Sequence, residues 1–193
     1  MKIDFKELVK IKHKKTSLDK IIFYPEVLKF CSIPYKNNNE GCPNQEICKE
    51  APYFEELEDY NHYYLIYAKF DFKKYKFLRK TQNPTFFNSE GRLTCCLYWQ
   101  NSVKRVIKDY FINLWNKGNR FYLLGSGSVY SLPFQEKIFS MEAAGINVFS
   151  TLKLNQIGFE LKIKNTITLC NLLCSNELIN FKKSIQNSII HYT

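Results

Sequence analysis

Seven cysteines lie in a chain of 193 residues, and three of them, Cys31, Cys42 and Cys48, fall in one stretch rich in proline and asparagine. Thiolates are soft donors suited to zinc or an iron–sulfur cluster, and metal–ligand bonds can fix a loop whose backbone forms no ladder. Three sulfur ligands leave one coordination position to fill. Cys95 and Cys96 stand at the start of the longest helical stretch, where a helix dipole favours the thiolate, so either could complete the set. The spacing is neither the paired C-x-x-C of a zinc ribbon nor a ferredoxin run, and a free cysteine is also a common core residue. Cys170 and Cys174, in an apolar C-terminal stretch, read as core.

The elements that must place these thiols follow from hydrophobic periodicity. Apolar residues from Phe5 to Phe30, broken by the basic run Lys10 to Lys15, predict short helices. From Cys31 to Phe54, Pro34, Pro43 and Pro52 are spaced so that no regular element runs through. Residues 63–70, aromatic and β-branched, predict a buried strand. Cys96, Trp99, Val103, Val106, Ile107, Tyr110, Phe111 and Leu114 recur at helical spacing, and Gly118 ends that helix. A second strand over 121–124 leads to a helix or turn near Glu136 to Ala144. Asn147 can cap a short helix over 148–152. Residues 159–163 and 166–170 predict a hairpin, and Glu177 to Ile190 an amphipathic last helix. The order predicts an α+β fold: a two-layer sandwich with a mixed sheet of about four strands and an irregular N-terminal cysteine loop. We expect one domain, residues 1–60 packed on a 61–193 core.

Composition narrows the classes. No run approaches the roughly 18 consecutive apolar residues of a membrane span, and Met1 to Lys6 carries charges with no apolar region behind them, so a cytoplasmic address is expected. At a reducing address an odd number of cysteines points to ligation or burial and away from a disulfide framework. The net charge of +10, from 28 Lys and Arg against 18 Asp and Glu, favours nucleic acid, nucleotides or an acidic protein as partner. The basic runs Lys10 to Lys15, Lys69 to Lys80 and Lys104 to Lys108 interleave with aromatic residues, a pairing suited to single-stranded nucleic acid; a packed core accounts for the same aromatics.

Cys31-Ser32-Ile33-Pro34-Tyr35, then Gly41-Cys42-Pro43-Asn44, then Cys48 with Pro52, resembles the N-terminal signature of an uncharacterised archaeal and bacterial family of predicted metal-binding proteins. Tyr98-Trp99-Gln100, Val103-Lys104-Arg105 and Met141 to Val148 resemble further family segments, so the likeness runs from about Tyr24 to Ile163. Cys48 is followed by Lys49-Glu50-Ala51 where the family has Cys-Pro-Pro, and Gly125 to Ser128 carries no thiol where some relatives have a second group. The resemblance implies at most one cysteine site and no known chemistry.

Other features carry less. Gly125-Ser126-Gly127-Ser128 lacks the Lys-Ser/Thr ending of a P-loop and reads as an ordinary loop. His13, His62 and His191 are scattered. Trp99 reads as core, Lys104 and Arg105 as a solvated face, and Glu142 as a packing or capping acid. The sequence therefore predicts a metal-binding protein holding an iron–sulfur cluster or zinc through Cys31, Cys42, Cys48 and Cys95 or Cys96, with the cluster preferred. The alternative is a basic nucleic-acid-binding module with structural cysteines. An enzyme with a cysteine nucleophile is a third reading, but no base can be named for it.

Overall fold

The computed structural model describes residues 3–34, 40–52, 54–127 and 129–181, with the side chains of Cys31 and Phe54 outside that set. The fold is α+β. Strand β1 spans Val9–Thr16, helix α1 Gln45–Cys48, α2 Phe54–Glu58, β2 His62–Asp71, α3 Phe72–Gln82, α4 Glu90–Thr94 and α5 Gln100–Asn116. Then come β3 Tyr122–Leu124, β4 Tyr130–Leu132, β5 Gln135–Ile138, α6 Val148–Leu154 and β6 Thr166–Ser175. Four strands form the main sheet in the order β1-β2-β6-β3, and β4 and β5 form a second sheet. The chain divides into two compact units.

The first unit comprises residues 1–12, 67–111 and 159–169. Its core is aromatic: Phe70 lies 5.5 Å from Trp99 and 5.4 Å from Tyr75, and Phe72 packs 5.9 Å from Trp99. Asp71 ends β2 and starts α3 in one residue, because its carboxylate accepts the Lys74 amide at 2.8 Å. The Arg79 guanidinium lies over the rings of Tyr75 and Phe87, 5.4 and 5.2 Å from their centroids, and donates to the Tyr98 carbonyl.

The second unit comprises residues 13–66, 112–158 and 170–193. Within it β3 pairs antiparallel with β6, placing Tyr122 opposite Cys174 and Leu124 opposite Leu172. Asn147 caps α6 as expected, its side chain accepting the Ser150 amide at 3.0 Å. Gly118, at φ +89°, follows α5 and donates to the Trp115 carbonyl, a left-handed turn that glycine enters without a Cβ clash.

Several expected elements differ. The basic run Lys10 to Lys15 is not a break between helices; it lies within β1, flanked by short 3-10 turns at Phe5–Glu7, Leu18–Lys20 and Pro25–Ser32. Cys95 and Cys96 do not open the long helix. Cys95 closes α4, Cys96 begins a 3-10 turn, and α5 starts at Gln100. The expected helix or turn at 136–144 begins as strand β5, and turns follow at 141–145. Residues 159–163 form no strand: the exposed Glu160 carboxylate accepts the amides of Lys164 and Asn165 at 2.9 Å each, and this local bonding curls the chain before it can pair. The last helix does not begin at Glu177, since 177–181 is non-helical, and residues 182–190 lie outside the described residues.

Candidate functional site

Cys42 lies three residues before α1 and Cys48 is its last residue; the turn is held by the Gln45 amide on the Cys42 carbonyl at 3.1 Å and the Cys48 amide on the Asn44 carbonyl at 2.9 Å. Both side chains are half-buried. Cys31 belongs to the 3-10 turn Pro25–Ser32, with its side chain outside the described residues. These three lie in the second unit, and Cys95 and Cys96 lie in the first, half-buried and exposed respectively. Among the described residues no three His, Cys, Asp or Glu side chains gather closely enough to hold a metal ion. The described part of the loop thus offers two thiols, fewer than the three or four protein ligands zinc takes. Cys170 and Cys174 are core, as expected, and burial pushes the Cys170 thiol up to about 12 and raises Cys174 as well.

Gly125 gives no amide to a phosphate. Its N–H donates to the Phe139 carbonyl and its carbonyl accepts the Met141 amide. Trp99 is buried, and Lys104 is half-buried, its ammonium pushed down by burial and by Lys108. His13 stacks on Phe181 at 3.8 Å, and burial lowers its pKa; His191 lies outside the described residues.

A different constellation stands in the second unit. A pocket of about 520 Å³ is lined by Lys14, Lys15, Thr16, Ser17, Lys20, Leu154, Asn155 and Gln156, so three lysines contribute to its lining and none of the eight residues is acidic. Its volume falls within the roughly 300–1,000 Å³ of small-molecule sites. Asn155, 3% exposed, ties the walls together: its Oδ1 accepts from Thr16 Oγ1 at 2.6 Å, and its Nδ2 donates to the Lys20 and Thr151 carbonyls at 2.9 Å each. Lys14 donates to the Asn155 carbonyl, a cation answering the negative end of α6. Lys15 and Lys20 are exposed and form no salt bridge among the described residues. Lys14 and Lys15 belong to a basic run apparent in the sequence; Lys20 and Asn155 were not. The wall-closing bond joins residues 139 positions apart, and no local pattern announces it.

No family model, no curated protein and no solved structure matches the chain. Among the described residues no helix is long and apolar enough to cross a membrane.

Proposed function

We propose that the protein binds a phosphate-bearing polyanion, nucleic acid first among them, through Lys15 and Lys20 with the hydroxyls of Thr16 and Ser17 beside them. The observation that carries this reading is the convergence of lysines from two elements on one pocket without an acidic wall. Lysines on an outer strand also serve to discourage strand-to-strand aggregation, which accounts for β1. It does not account for Lys20, which comes from the next turn. Phosphate binding through lysine releases counterions, so affinity falls as salt rises.

The test is fluorescence anisotropy of a labelled single-stranded oligonucleotide over a KCl series. Affinity should fall steeply, and Lys15→Gln with Lys20→Gln should flatten the log–log slope by about 0.7 per lysine removed. Salt-independent binding, or an unchanged slope in the double variant, refutes it.

A second reading keeps the metal. Cys42, just before α1, and Cys48, its last residue, both half-buried, would serve with Cys31 as sulfur ligands for an iron–sulfur cluster or zinc. Cys95 or Cys96 would be the fourth. This reading also rests on the resemblance to the predicted metal-binding family. Elemental analysis and a visible absorption spectrum of anaerobically purified protein test it, and stoichiometric absence of both iron and zinc ends it. Both readings assume a reducing, cytoplasmic address.

A further inference from the structure

A second pocket in the same unit has the opposite character. It measures about 160 Å³ and is lined by Glu50, Pro52, Glu56, Leu57, Tyr60 and Tyr122. The surrounding segment is the most acidic in this basic chain, with Glu55, Glu56, Glu58 and Asp59 in five positions just before Tyr60. The Tyr60 and Tyr122 rings are nearly parallel, 21° apart in plane with centroids 6.2 Å apart. Burial, then Tyr60, Cys174 and Glu56, push the Tyr122 hydroxyl up to about 12, so both rings stay neutral phenols in ordinary buffer. At one rim the Lys137 ammonium already bonds the Glu50 carboxylate.

Neutral aromatic rings present negative faces, and beside carboxylates they favour a cation with little hydration to lose. Calcium or magnesium fits badly, since each demands about six or more oxygen ligands and an aromatic wall supplies none. The volume is well below the roughly 300 Å³ at which sites for larger ligands begin, so it suits a compact headgroup. We infer that this pocket binds a small alkylammonium cation, with its carbon groups against Tyr60 and Tyr122 and its charge answered by Glu50 and Glu56. None of these residues belongs to the lysine pocket, so the inference stands apart from the polyanion reading.

Titration calorimetry on the full chain tests it with choline and with dimethylbutanol, choline's neutral carbon isostere. Choline should bind at least about tenfold more tightly than the isostere. Glu56→Gln and Tyr60→Leu, both outside the sheet, should each weaken choline by about threefold or more, while Tyr122→Phe keeps the ring and most of the affinity. Lys137→Gln should tighten binding by freeing Glu50. Equal affinity for the two compounds, no detectable choline binding, or wild-type affinity in both Glu56→Gln and Tyr60→Leu overturns the inference.

Discussion

Glu142 holds a carboxyl group whose Oε2 is buried with no hydrogen-bond partner among the described residues. Burial raises its pKa, and bonds from its own backbone amide and from Ser140 offset only part of that. The native state therefore keeps a proton that the unfolded chain, near 4.5, gives up first. The stabilising contribution is complete below that value and is lost as pH rises through the native pKa. Glu142→Gln removes the titration while keeping the shape. Relative to wild type, the variant should gain stability as pH rises above about 4.5, the unfolded value, as read by urea midpoints at each pH. Parallel midpoints across that range would show that Glu142 ionises freely in the folded protein. Asn155 makes the converse case of a buried polar group with its bonds made. Asn155→Ala should cost about 2–4 kcal/mol in urea unfolding, since it deletes three side-chain bonds and takes the Asn155 donor from the Lys20 carbonyl, while the Thr151 carbonyl keeps the backbone amide of residue 155.

Elements were readable where one physical signal dominated. The apolar run of β2, the helical spacing of α5 and the Asn147 cap each follow from local chemistry, and each stands where expected within a few residues. Strand β1 was hidden because lysines fill half of its positions, leaving Val9 and Ile11 as too short an alternation to notice. Residues 159–163 erred the other way. Their alternation is clean, yet Leu161 and Ile163 are exposed because Glu160 captures the next amides and turns the chain. The β4–β5 hairpin escaped notice because its strands are only three and four residues long. It is nonetheless tightly coupled to Gly125: a Cβ there would sit 2.9 Å from Tyr130 Cε1 and 3.2 Å from Ile138 Cγ2. Gly125→Ala should therefore destabilise by about 1–3 kcal/mol, and Tyr130→Leu in the same chain should recover part of the loss. Additive losses in that double-mutant cycle would place the strain elsewhere.

At the scale of the whole molecule, charge was readable as a total but not as a map. A net +10 suggested a polyanion partner, while the pockets depend on residues far apart in sequence: Thr16 with Asn155, and Glu56 with Tyr122. The cysteine loop, by contrast, drew attention through composition alone, and only Cys42 and Cys48 of its thiols have described side chains. The remaining thiols lend themselves to a use of another kind. Cys170 and Cys174 are 2% and 0% exposed and strongly disfavour the thiolate, so an alkylating reagent reaches them only when β6 comes loose. Mass spectrometry of a timed iodoacetamide reaction should show Cys96 modified early and these two last. The lag is a covalent clock for how often the centre of the sheet opens, and added oligonucleotide or choline should lengthen it as ligand concentration rises above its Kd, by up to a factor of one plus the ratio of free ligand concentration to Kd.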